Sequence, residues 1–135
     1  MRGDYSEVEA LPILVEAMKE ENLANLILQA HLLLERALER HLTDKSRRIP
    51  KTFREKLSCY IDVTQPPEKQ QQQLLAFNKL RNKVAHQLEE GRKCVWDCLP
   101  WEGGQEAKLD VQTHVGVLAM GLLIDLGEIK TADLA

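Results

Sequence analysis

A broad stripe of apolar residues between positions 22 and 42 constrains the fold more than any other feature of this chain. The apolar residues recur at the 3.6-residue period of an α-helix, and the charged residues Glu35, Arg36, Glu39 and Arg40 lie off the stripe. This is the most clearly predicted helix of the chain. The stripe consists of Leu23, Leu26, Ile27, Ala30, Leu33, Leu34, Ala37, Leu38 and Leu42.

The rest of the chain favours helical partners over strands. Aromatic residues make up only 4% of the 135 residues, so the core must be aliphatic, and Leu and Ala favour helices. We predict an all-α bundle in a single domain, residues 1–135, with four main helices and one short extra helix. Ser6 is expected to cap the first helix, within which Pro12 is the least favourable residue. The predicted helices are 6–19, 22–42, 51–62, 67–90 and 108–129.

Charge, hydropathy and cysteine content exclude several classes of protein. A net charge of −3 argues against coating of nucleic acid through bulk charge, although a local basic patch remains compatible with it. The acidic N-terminus does not resemble a signal peptide, and the apolar run 115–124 is too short to span a bilayer. We therefore expect a cytoplasmic protein with reduced thiols at Cys59, Cys94 and Cys98, without a metal site or cofactor.

The last two predicted helices differ in what they present. The helix 108–129 is apolar almost all round, which suits either the centre of the bundle or an oligomer interface. The helix 67–90 directs four apolar residues to the core: Phe77, Leu80, Val84 and Leu88. Between them, the segment 91–107 holds both Trp residues and is predicted to be a packed loop.

Three polar residues in the second half of the helix 67–90 attract attention. Asn82 and His86 are four apart and share a face, whereas Arg81 lies at the edge of the apolar stripe, about 140° from His86. One interpretation is an ordinary solvated surface with a snorkelling arginine. The other is a working site that a second copy of the chain completes.

The segment "LRNKVAH" resembles the Arg-x4-6-His motif of the HEPN superfamily. Arg81, Asn82 and His86 match that motif, and the order of segments 30–42, 53–60 and 77–86 is similar to that of small HEPN proteins, including mannitol-repressor-like ones. The resemblance implies a helical bundle that dimerises along the motif helix and cleaves RNA without a metal. His86 would transfer protons, Arg81 would stabilise the transition state, and Asn82 would support them.

A second feature is the concentration of positive charge in residues 45–56. Six of the chain's 18 basic residues fall there: Lys45, Arg47, Arg48, Lys51, Arg54 and Lys56. The first five are predicted to contact RNA phosphates, and the alternative is that all six only solvate a loop and a short helix. His31, in contrast, lies among apolar residues and is expected to be a buried, hydrogen-bonded core histidine.

These features support two main hypotheses. The first is a dimeric, metal-independent endoribonuclease of the HEPN type, of the kind found in toxin or defence systems. The second is a non-catalytic HEPN-like module that binds a regulatory protein, such as an antitoxin, or nucleic acid. A nucleic-acid-binding regulator that uses residues 45–56 would bind in a strongly salt-dependent way and would cut no strand.

Overall fold

The computed structural model describes residues 9–20, 22–44, 48–86 and 111–129. These residues form helices and connecting turns and contain no strand, which confirms the all-α prediction for this part of the chain. Five helices are present in it. They are α1 (Ala10–Lys19), α2 (Leu23–Asp44), α3 (Phe53–Thr64), α4 (Glu68–His86) and α5 (Val111–Asp125).

The first helix begins later than predicted. Glu9 has extended backbone angles, φ −71° and ψ 140°, and α1 starts at Ala10 without a side-chain cap. The prediction of a continuous helix that Ser6 caps is therefore wrong. The later start places Pro12 in the first turn. Backbone N–H groups there have no partner within the helix, so the N–H that proline lacks costs no helical hydrogen bond.

The ends of α3 and α4 follow local signals in the sequence. Thr52 caps α3, because its hydroxyl oxygen accepts a hydrogen bond from the Glu55 backbone N–H at 3.1 Å. Glu68 opens α4 directly after Pro66 and Pro67, as predicted. The predicted final turn of α4, its cap at Gly91, the loop 91–107, and Cys94 and Cys98 lie outside the described residues.

Contacts between side chains define the directions of the helices. Phe53 packs on His31 and Tyr60 packs on His41, so α3 runs parallel to α2. Helix α4 runs antiparallel to both, because Gln70 lies near Tyr60 while Asn78 contacts His31. Helix α5 runs parallel to α2, with Gln112 bonded to the Met18 carbonyl at its start and the Leu126 carbonyl bonded to His41 at its end.

The apolar stripe of α2 forms the centre of the bundle. Helix α2 contacts all four other helices, and its residues Leu26, Ile27, Leu34 and Leu38 are fully buried. Helix α5 packs against α1, α2 and α4, and Val117 on its remaining face is 48% exposed. Gly116 of α5 lies against the Met18 side chain of α1, and a Cβ atom there would collide with the Met18 sulfur unless that side chain moved.

One further property concerns membranes. Among the helices of the described ranges, none has both the length and the apolar character needed to cross a bilayer.

Candidate functional site

The second half of α4 separates a buried face from an exposed polar one. Phe77, Leu80 and Val84 are buried, as the helical periodicity predicted. Arg81 and Asn82 are exposed, and Arg81 Nη1 donates a hydrogen bond to Asn82 Oδ1 at 3.4 Å. His86 is the last residue of α4, and its side chain, like the whole of Leu88, lies outside the described part of the molecule.

His31 connects three helices beneath this surface. Its ring on α2 packs against Phe53 of α3 with ring centroids 4.3 Å apart, and its Nε2 lies 3.1 Å from Asn78 Oδ1 on α4. The side chain is 6% exposed, which confirms the prediction of a buried, hydrogen-bonded histidine. Burial lowers the pKa of His31 from its ordinary value of 6.5 and keeps the imidazole neutral at pH 7.

Lys56 does not belong to the exposed basic stretch in which the sequence places it. It is 5% exposed, and its Nζ lies 2.7 Å from Glu35 Oε2 and 2.6 Å from Glu39 Oε2. Burial by itself would lower the pKa of Lys56, but the hydrogen bonds to Glu35 and Glu39 outweigh it and raise that pKa. Lys56 is therefore a charged link between α2 and α3, and its side chain is too buried to bind a phosphate.

Other members of the basic stretch do reach the surface. Arg48, Lys51 and Arg54 are exposed in the segment that leads into α3 and in its first turn. Lys45 and Arg47 lie outside the described residues. The start of α3 also carries the partial positive charge of a helix N-terminus, which adds to the charge of these side chains.

The bundle brings this basic segment and the α4 motif to the same end. Phe53, the first residue of α3, packs on His31, and His31 bonds to Asn78, which lies one helical turn before Arg81 and Asn82. The positive charge of Arg81 also contributes, after burial, to the lowered pKa of His31. Two regions that are about 30 residues apart in sequence thus lie at the same end of the bundle, and we call their polar residues together the motif surface: Arg48, Lys51, Arg54, Asn78, Arg81 and Asn82.

The chemistry available at the motif surface is the binding of anions. Guanidinium, ammonium and amide groups all donate hydrogen bonds, and phosphate oxygens accept them. Within the described ranges, no group of three or more His, Cys, Asp or Glu residues has the arrangement needed to hold a metal ion.

The sequence contained a signal for the Lys56 contact, which the prediction from the charge of residues 45–56 did not use. Phe53, Leu57 and Tyr60 of α3 face the core, and Lys56 falls on the same helical face. A lysine at a core position requires acidic partners, and Glu35 and Glu39 of α2 are one helical turn apart. The contact between His31 and Asn78 had no comparable signal, because 47 residues separate the two.

Comparison with known proteins adds no relative to these observations. No protein-family model matches the chain, and neither curated proteins nor solved structures yield a match.

Proposed function

We propose that the protein is a metal-independent endoribonuclease of the HEPN type that acts as a homodimer. The observation that carries the proposal is the exposure of Arg81 and Asn82 at the same end of the bundle as Lys51 and Arg54. A catalytic arginine beside additional cations suits a polyanionic substrate, because the flanking phosphates are bound while one phosphodiester reacts.

The proposed reaction uses the RNA strand's own nucleophile. The 2′-hydroxyl attacks the adjacent phosphorus, forms a 2′,3′-cyclic phosphate and expels the 5′-oxygen of the next nucleotide. His86 accepts the hydroxyl proton or delivers a proton to the leaving oxygen, and Arg81 stabilises the charge on the non-bridging oxygens. Asn82 orients the phosphate or the imidazole. Because Arg81 and His86 are about 140° apart on an ideal helix, each cleft draws on two chains.

The second candidate is a non-catalytic module that binds a regulatory protein such as an antitoxin. Leu32 and Leu28 on α2 are 56% and 37% exposed, and Leu32 borders a cleft of about 320 Å³ between α1 and α2. Exposed leucines at helical spacing suit an apolar partner helix. This surface consists of residues other than those of the motif surface, so the two functions predict different sensitive residues.

The deciding experiment is RNA cleavage by the purified protein in EDTA, with analysis of the product ends. The variants are Arg81→Ala, His86→Ala and the control Lys69→Ala, which removes an exposed charge about 18 Å away on the same helix. Cleavage to 2′,3′-cyclic phosphate ends that only the first two variants lose supports the proposal.

Three other outcomes contradict it. Equal cleavage by all variants indicates a contaminating nuclease and removes the mechanism. RNA binding without cleavage by a folded dimer favours a nucleic-acid-binding regulator, and the absence of both favours the protein-binding module.

A further inference from the structure

We propose that Asn78 is an additional RNA-binding residue of the motif surface. His31 is the positioning residue, because its hydrogen bond determines whether the oxygen or the amide group of the Asn78 side chain faces the RNA. This inference rests on the proposed function, because it assigns an RNA contact to a further residue of the same surface. It assigns roles to two residues that have no place in the Arg81–His86 motif.

The position of Asn78 on α4 places it beside the motif. It precedes Arg81 by three residues and Asn82 by four, and these two spacings put side chains next to one another on a helix surface. Its side chain is half-buried, between the buried His31 and the exposed Arg81 and Asn82. A phosphate held by Arg81 and Asn82 would therefore lie within one helical turn of the Asn78 carboxamide.

The protonation of His31 determines how the carboxamide is used. A neutral imidazole carries one N–H, and here the nitrogen near Asn78 is Nε2, 3.1 Å from Oδ1. When Nε2 carries the proton, it donates to Oδ1, and the amide group of Asn78 is left with two N–H donors. The amide nitrogen has no hydrogen-bond partner among the described residues. Such a donor suits a phosphate oxygen or a ribose hydroxyl.

The surroundings of His31 favour this neutral form. Burial lowers the pKa of His31 most, and the cations Arg81 on α4 and Lys56 on α3 lower it further. The hydrogen bond to Asn78 and the carboxylate of Glu35 on α2 act in the opposite direction, and the net direction is downward. Packing against Phe53 holds the ring in place, so the imidazole acts as a fixed donor.

A purely structural role would make the same contact without involving RNA. In that case the hydrogen bond would only connect α2 with α4, and a variant that preserved it would lose no more RNA affinity than a carboxylate added elsewhere on α4 causes. Asn78→Asp separates the two possibilities, because a carboxylate still accepts the Nε2–H bond but offers no donor and repels phosphate.

The first test is the affinity for a single-stranded RNA oligonucleotide in EDTA, together with the kcat and KM of cleavage. We expect Asn78→Asp to weaken RNA binding about 10- to 100-fold and to raise KM more than it lowers kcat. Gln72→Glu is the control for added charge, since it places a carboxylate about 9 Å from position 78 towards the start of α4 and on another face of that helix.

Two substitutions at position 31 test the positioning role. The amide nitrogen of glutamine can occupy the place of Nε2, whereas that of asparagine reaches only the place of Nδ1. We therefore expect His31→Gln to keep RNA affinity within about threefold and His31→Asn to lose about tenfold or more. Nitrogen-15 NMR of the imidazoles, assigned by the signal that His31→Gln removes, should show the Nε2–H tautomer at pH 7.

Each result has a distinct meaning. If the wild type cleaves RNA and Asn78→Asp binds as tightly as the wild type, Asn78 is no RNA ligand and only this inference fails. An Nδ1–H tautomer at His31, or equal losses in His31→Gln and His31→Asn, overturns the positioning role. If the wild type neither binds nor cleaves RNA, the proposed function fails, and this inference fails with it.

Discussion

The two sides of α2 are built in different ways. On the side of α1 and α5 the packing is dominated by aliphatic residues, such as Leu14, Ala119 and Leu123, although His114 of α5 is also buried and Glu128, just after α5, pairs with Arg40 of α2. On the side of α3 and α4 the buried residues include three polar ones, His31, Lys56 and Gln70, among apolar neighbours. The motif surface lies on this second side.

The difference shows what each kind of packing contributes. Aliphatic contacts stabilise through buried area and tolerate small shifts, because any neighbouring carbon serves as a partner. A buried lysine or histidine needs particular partner atoms at hydrogen-bond distance, and a helix that slides by one residue loses them. We interpret the polar side as the one that sets the positions of α3 and α4, and with them the spacing between Lys51 and Arg81.

The largest effect is expected from a substitution on the aliphatic side of α2. Leu123 on α5 is fully buried, and Leu123→Ala should lower the free energy of unfolding by about 2–5 kcal/mol, because it removes buried carbon and leaves a cavity. Urea unfolding measures the loss. At a temperature where the variant remains folded, its RNA affinity should equal that of the wild type. A weaker affinity would show that the two sides of α2 are not independent.

The next largest effect is expected from a substitution on the polar side of α2. Lys56→Met leaves Glu35 and Glu39 close together without their cation and should cost about 2–3 kcal/mol, because Glu39 stays partly solvated. The control is Lys19→Met, which removes an exposed pair with Glu16 and should cost at most about 0.5 kcal/mol. Similar losses of unfolding free energy in both variants, measured by urea unfolding, would show that the Lys56 contact stabilises the fold no more than an exposed ion pair does.

A smaller effect appears in the dependence of stability on pH. The folded state lowers the pKa of His31 from 6.5, so below that pH the unfolded chain binds a proton that the folded chain resists. Stability should therefore fall as the pH drops through about 6.5 towards the lower folded pKa. The loss between about pH 7.5 and about pH 5.5 should be smaller in His31→Gln, which has no imidazole there. Identical pH profiles would contradict the burial of a neutral His31.

The smallest effect compares how a helix ends on each side. At the end of α3, Gln65 has left-handed backbone angles with φ 49°, whereas α5 ends with Gly127 at φ 82°. Gln65→Gly should raise the free energy of unfolding by about 0.5–1 kcal/mol, because glycine adopts this conformation without strain. Gly127→Ala should lower it by about 1 kcal/mol, since open space around that position leaves backbone strain as the main cost. Thermal unfolding of both variants tests the signs.

Features that depend on neighbouring residues could be predicted from the sequence. The helical period of α2, the proline pair before α4 and the apolar face of Phe77, Leu80 and Val84 all act within a few residues, and the structure agrees with each. The start of α1 was the exception, because a serine followed by a glutamate matches a capping pattern without requiring it. The burial of His31 also followed from its apolar neighbours along α2.

Tertiary structure alone decided which distant residues meet. Lys56 and Arg54 look alike in sequence, yet one is buried between two glutamates and the other is exposed. Asn78 carries no local mark of its contact with His31. The physical reason is that local periodicity assigns a face to each residue, whereas the directions and positions of packed helices determine what that face meets. That the α3 basic segment and Arg81 lie at the same end of the molecule is therefore a property of the bundle, which no single segment of the sequence contains.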